Sequence, residues 1–193
     1  MISPTPGDIA FFWGRGFLPW AIETFTHRGP SHCSMFIDPA LVVDDGAGLG
    51  GPYTVESTII GCEDGVQITS FPIRSANYDG SIAVAHLRQA TREKMDFPRM
   101  WDMVRAKVNR DNYNKLELGQ YLARKLPILE WLPQDPNPGA EVCSELVMML
   151  LALSFPGLDP FRTNPQRVLE MNIFASVEWI HGTPQTLRKF NTR

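Results

Sequence analysis

"GPSHCSMFID", residues 29–38, is the stretch whose reading sets the fold. It reads as a β-strand, with His32, Ser34 and Phe36 on one side and Cys33, Met35 and Ile37 on the other, because successive strand side chains point to opposite faces. His32 and Cys33 are therefore adjacent in sequence but cannot serve each other as base and nucleophile. If His32 is a catalytic base, its thiol comes from elsewhere in the chain.

Working outward, the first half of the chain is rich in short β-branched and aromatic runs bounded by turn residues. "DIAFFW" (8–13) opens it, and "LPWAIETFTH" (18–27) has the spacing of a short amphipathic helix. "ALVVDD" (40–45), "YTVESTII" (53–60), "GVQITSF" (65–71) and "SIAVAHL" (81–87) complete a predicted sheet of short strands. The Gly-rich "DDGAGLGG" (44–51) fits neither a phosphate cradle nor a calcium loop, since no G-x-x-x-x-G-K-[ST] spacing and no closing acidic residue are present. It is expected to be a connection between strands.

From Asp96 the pattern changes to helical. Asp96 is placed to cap a helix with Pro98 in its first turn, and Met100, Trp101, Val104 and Val108 follow at helical spacing. A second helix is expected in "KLELGQYLARKL" (115–126), and the four prolines of "LPILEWLPQDPNPG" (126–139) rule out regular structure throughout that stretch. "AEVCSELVMMLLAL" (140–153) is apolar on nearly all sides, which predicts a helix at the centre of the packing. A short helix, "PQRVLEM" (165–171), comes last, and residues 171–193 are left unassigned.

The bulk properties exclude several classes. At 193 residues the chain suits a single domain that buries its own core without metal or disulfide staples. A hydrophobic content of 44% with 20% charged residues sets disorder aside, and a net charge of −3 leaves no basic surplus for a nucleic-acid partner. The basic runs "RAKVNR" and "LRKFNTR" read as solvated surface. The longest apolar run, "LVMMLLAL" (146–153), is too short to span a bilayer. No basic start followed by an apolar run is visible, so the expectation is a protein cytoplasmic where it is made, or one delivered by a phage or a leaderless secretion route. The three cysteines, 33, 62 and 143, form no C-x-x-C pair, so reduced thiols are expected, with no zinc site and no other cofactor.

Cys143 is the best nucleophile candidate. It falls in the first turn of the central helix, where unpaired backbone N–H groups and the helix dipole favour a thiolate. Cys33 is mid-strand and faces away from His32, and Cys62 has two acidic neighbours that would raise its pKa. A thiol–imidazole pair needs a third group to fix the ring, and Glu56, on the strand after the histidine strand, is the candidate, ahead of Glu63 and Asp64 in a turn. Each residue alone is better explained as ordinary core or strand chemistry, since free cysteine is among the most buried residue types. His27, His86 and His181 are assigned structural or surface roles. Trp13 and Trp20 flank "GRGFLP" and are placed either in the core or along a groove near the site.

"PGDIAFF", "AIETFTHRGPSHCSMFID", "VESTIIGCEDGVQITSFP" and the late "CSELV" together resemble the circularly permuted papain-fold enzymes related to NlpC-type peptidases, in the YiiX-like amidase or peptidase branch. The order His, acid, Cys is the mark of that permuted branch, which also includes the lecithin:retinol acyltransferase-like proteins. The resemblance spans residues 6–170. It implies an α+β fold in which a small, mainly antiparallel sheet carries His32 and Glu56 and packs on the helix of Cys143. It further implies Cys143 as nucleophile, His32 as base, Glu56 as the residue orienting the ring, Gly7 and Asp8 as a structural strand start, and "TNPQRVL" as a lid or packing segment. Two positions depart from the pattern: Cys33 replaces the usual small or β-branched residue after the histidine, and "EVCSEL" lacks the aromatic residue that often precedes the nucleophile.

The expected function is a cysteine hydrolase acting on an amide or ester bond through a thioester, on a peptide, lipid-linked amide or other acyl substrate. An acyltransferase on lipid-derived substrates, or a non-catalytic binding protein that keeps the fold, are the alternatives.

Overall fold

Backbone pairing in the first half of the chain begins with Ile9–Gly14 (β1), which lies at the middle of an antiparallel sheet of six strands. The computed structural model describes residues 3–14, 29–42, 51–58, 65–108, 143–160 and 163–181. The other strands are His32–Ile37 (β2), Tyr53–Thr58 (β3), Gly65–Ser70 (β4), Gly80–Leu87 (β5) and Phe174–His181 (β6). They run in the order β4-β3-β2-β1-β5-β6, and every neighbouring pair is antiparallel.

Alternation along β1 divides the apolar residues between two faces. Ile9, Phe11 and Trp13 join Cys33, Met35, Ile37, Val55, Ala83 and Ala85 in the larger core cluster, while Ala10 and Phe12 join Phe36, Ile82 and Val84 in a smaller one. The larger face is covered by the helix Cys143–Ala152 (α4, the fourth among the described residues), which packs on β2 and β3. All its residues except Met149 and Ala152 are buried, as expected from a helix apolar on nearly all sides. Leu146, Leu150 and Leu151 are fully enclosed, each contributing about 1.5–3 kcal/mol through burial. The smaller face is closed by Phe71 at the start of the helix Phe71–Ala76 (α1).

The remaining helices are Gln89–Arg92 (α2), Phe97–Lys107 (α3) and Pro165–Leu169 (α5). The Asp96 side chain caps α3 by accepting from Arg99 N at 3.2 Å, and Met100, Trp101 and Val104 face inward as their spacing predicts. Val108 is the residue at which α3 ends. Asn164 caps α5 through Arg167 N at 2.9 Å.

Three local expectations are corrected. Phe71 is not the end of a strand: Pro72 has no N–H to give a ladder, so β4 stops at Ser70 and α1 begins with the proline in its first turn. "ALVVDD" does not open as a strand, because the Asp38 carboxylate accepts from Ala40 N at 2.9 Å and turns Pro39–Leu41 into a single 3-10 turn. The unassigned tail contains β6, which pairs with β5 and extends the sheet. The expected helices at 18–27 and 115–126, the proline-rich stretch at 126–139 and most of the Gly-rich loop lie outside the described residues.

Asp8 fastens the strand start. Its buried carboxylate accepts from Thr5 N and Leu87 N, each at 2.9 Å, and from Arg92, and lies 3.0 Å from His86 Nδ1. Gly7, at φ +91°, supplies the left-handed turn before it and donates to Phe36 O at 2.8 Å.

Candidate functional site

His32 and Glu56 share the smaller face of the sheet. His32 is the first residue of β2 and stands opposite Phe12, its ring tilted against that phenyl at a centroid distance of 5.3 Å. Glu56 is two residues from Thr54, which pairs with Phe36 on the same face. The β2–β3 ladder runs through Ile37↔Tyr53, Phe36↔Thr54 and Met35↔Val55. Beyond Met35 the two strands carry the imidazole and the carboxylate toward each other, with His32 Nε2 2.6 Å from Glu56 Oε2.

The carboxylate is held on its other sides too. Arg74, from α1, brings a guanidinium nitrogen to 3.6 Å of Glu56 Oε2, and the Thr69 hydroxyl of β4 adds a hydrogen bond. Arg74 is itself seated over the rings of Phe12 and Tyr78, 5.6 and 5.5 Å from their centroids. Burial alone would raise the Glu56 pKa, but the His32 hydrogen bond and charge, then Arg74 and Thr69, lower it from 4.5 to about 2.

Cys143 approaches from the opposite face, at the first position of α4. Its sulfur interacts with the Cys33 thiol, the Cys33 backbone N–H and the His32 imidazole. The Cys33 hydrogen bond and the His32 charge outweigh burial and hold Cys143 well below the ordinary thiol range. For His32, burial pulls the pKa down, yet the Cys143 charge and the hydrogen bonds to Cys143 and Glu56 prevail and lift it to about 9. Burial and the neighbouring Cys143 charge push Cys33 well above the usual range, so it keeps its proton. The shifts at Cys143 and His32 both favour the charged pair, and the shift at Cys33 favours its neutral thiol.

The three residues singled out in the sequence thus meet in one place. Two further participants do not follow from the sequence reading. Cys33 does face away from His32, but it faces Cys143, because α4 packs on that side of β2. Arg74 is in a segment read partly as strand, and only the α1 turn after Pro72 brings it back to Glu56. Trp13 belongs to the core, against Trp179 at 4.8 Å, rather than to a groove. His86 is tied to Asp8, and His181 is exposed at the end of β6. Cys62, Glu63, Asp64, His27 and Trp20 lie outside the described residues.

Among the described residues no group of three or more His, Cys, Asp or Glu side chains is placed to hold a metal ion.

No family model matches the chain, and no curated protein matches it. Among solved structures it is similar to the metalloprotein YiiX from Escherichia coli O157:H7, with 17% identity and a TM-score of 0.50 over 97% of this chain and 93% of that one. At this identity the likeness concerns architecture. The chain shares with YiiX an α+β fold that extends over nearly its whole length.

Proposed function

We propose that the protein is a cysteine hydrolase of the circularly permuted papain-like type, cleaving an amide or ester bond through a thioester. The observation that carries the reading is the pairing of the Cys143 thiol with an imidazole whose Nε2 is held 2.6 Å from a buried carboxylate. That hydrogen bond leaves Nδ1 as the ring nitrogen for Cys143 and fixes the ring plane.

The Cys143 thiolate attacks the substrate carbonyl, forming an S–C bond and a tetrahedral oxyanion. Backbone N–H groups in the first turn of α4, which lack intrahelical acceptors, are the candidate oxyanion donors, the Cys143 N–H first among them. Collapse breaks the bond to the leaving amine or alcohol, which takes its proton from the His32 imidazolium. His32, now neutral, removes a proton from water as the water attacks the thioester. The carboxylic acid departs and the thiolate–imidazolium pair is restored. Glu56 stabilises the imidazolium and sets its tautomer, with Arg74 and Thr69 positioning Glu56.

The test is acylation of the folded protein by activated esters and by amide panels, read by peptide mass spectrometry with and without an added amine. The expected result is transient acylation of Cys143, absent in Cys143→Ala, and release of free acid. Release as an amide only when amine is present would replace hydrolysis by acyl transfer. A folded protein whose Cys143 is never acylated would overturn the enzyme reading.

A further inference from the structure

The proposed hydrolysis uses one thiol, yet two meet at the site. Cys33 is fully buried, Cys143 is 5% exposed, and both belong to the core cluster between the sheet and α4. Alternation along β2 puts Cys33 on the side that α4 covers, α4 opens at Cys143 and packs on β2, and both are free thiols. A buried cysteine in an apolar core is ordinarily an inert space-filler. Here it faces the helix that opens with the candidate nucleophile.

We propose that Cys33 is a resolving thiol: a peroxide oxidises Cys143 to a sulfenic acid, and Cys33 condenses with it to form an intramolecular Cys33–Cys143 disulfide that reversibly closes the site. This rests on the reading of Cys143 as an activated thiolate, not on its having a hydrolytic substrate.

In the first step the Cys143 sulfur attacks one peroxide oxygen, so that an S–O bond forms and the O–O bond breaks. The sulfur loses two electrons, and the departing hydroxide takes the imidazolium proton of His32 to become water. In the second step the Cys33 sulfur attacks Cys143, an S–S bond forms, the S–O bond breaks, and the hydroxide leaves with the Cys33 proton as water. A dithiol returns the two electrons and restores both thiols. Cys33 sits on the strand against which the Cys143 helix packs and on the face that helix covers, so the two thiols belong to facing elements of one core. Without a resolving partner, a sulfenic acid facing continued peroxide advances to the sulfinic acid, which a dithiol does not reverse.

The experiment treats the folded Cys62→Ser protein with hydrogen peroxide, maps disulfides by non-reducing peptide mass spectrometry, then adds dithiothreitol and measures iodoacetamide labelling of Cys143. Cys33→Ser, which keeps a hydroxyl donor toward Cys143, is the comparison. The expected result is a Cys33–Cys143 linked peptide in monomeric protein, and at least about tenfold more recovered Cys143 than in Cys33→Ser, where oxidation runs on to the sulfinic acid. Rapid iodoacetamide labelling before peroxide, followed by sulfinic acid without the linked peptide, would overturn the resolving role and leave the activated thiolate standing. Slow labelling of Cys143 near neutrality and no reaction with peroxide would overturn both. The wild-type disulfide map decides the matter even if Cys33→Ser folds poorly.

Discussion

His32 and Cys33 are consecutive residues of one strand, and both reach the sulfur of Cys143. Alternation sends them to opposite faces, so Cys143 is approached from two sides by one dipeptide. The place where this happens is the first two residues of β2, upstream of the pairing that joins it to β3 at Met35↔Val55. The imidazolium supplies charge and the cysteine supplies two neutral donors, S–H and N–H. Their relative weight can be separated by mutation.

His32→Ala removes the opposite charge and leaves the Cys33 donors in place. Loss of a partner cation within contact distance should raise the pH midpoint of Cys143 alkylation by about 1–3 pH units. Cys33→Ala removes the S–H donor but keeps the N–H and the cation, so its midpoint should also rise while remaining below that of a free cysteine. The measurement is the iodoacetamide rate at Cys143 between pH 4 and 9 by mass spectrometry. An unchanged midpoint in His32→Ala would separate the imidazole from the thiol.

Glu56 gives a stability signature with a definite sign. Its pKa is depressed from 4.5 to about 2, so its contribution is present above pH 4.5 and is lost as pH falls from there toward 2. At about 1.4 kcal/mol per pH unit, the contribution is on the order of 3 kcal/mol. His32, raised from 6.5 to about 9, contributes below pH 6.5 and loses that contribution as pH rises toward 9. Cys143, depressed, regains its contribution over the same rise. From pH 6.5 to 9 these two oppose each other, leaving a plateau. Urea denaturation across pH should show the plateau and the acid loss, and Glu56→Gln should lack the acid component.

Arg74→Met tests the positioning of the carboxylate. Methionine keeps a long apolar stem against Phe12 and Tyr78 but removes the cation 3.6 Å from Glu56. The Glu56 pKa should rise, shifting the acid limb of the stability curve upward, and Cys143 acylation should slow by about threefold to tenfold through a looser His32. A slower acylation with an unmoved acid limb would mean that Arg74 acts on the substrate rather than through Glu56. Arg74→Lys should recover part of both effects.

The strands and the two principal helices were legible because β1 and β5 are short apolar runs bounded by turn residues, α3 carries a 3.6-residue apolar period, α4 is an apolar run too long for a strand of this sheet, and Asp96 and Asn164 announce their helices. Cys143, His32 and Glu56 were legible as a candidate set, since a thiol at a helix start, a strand imidazole and a strand carboxylate are the components a nucleophilic site would need. What stayed hidden depends on tertiary approach. Phe174–His181 carries a burial pattern with three consecutive exposed residues, so its alternation is weak and only pairing with β5 makes it a strand. Arg74 reaches Glu56 only after the turn at Pro72. Cys33 is oriented by the face that α4 covers, which alternation within β2 does not specify.

Asp8 separates the scaffold from the site. Its carboxylate is buried and satisfies two backbone N–H groups, Arg92 and His86, fastening the β1 entry to the end of β5. Asp8→Ala leaves those donors and the Arg92 charge without their acceptor, a loss of about 3–5 kcal/mol for breaking a buried ion pair. Asp8→Asn keeps an acceptor for one amide but not the charge, and should cost less. Urea denaturation at pH 7 measures both. Because Asp8 lies outside the Cys143 cluster, the alkylation midpoint of the folded fraction should stay at its wild-type value. A midpoint that moved with Asp8→Ala while the protein remained folded would show the strand start to be coupled to the thiolate, and the division between fastening and chemistry would fail.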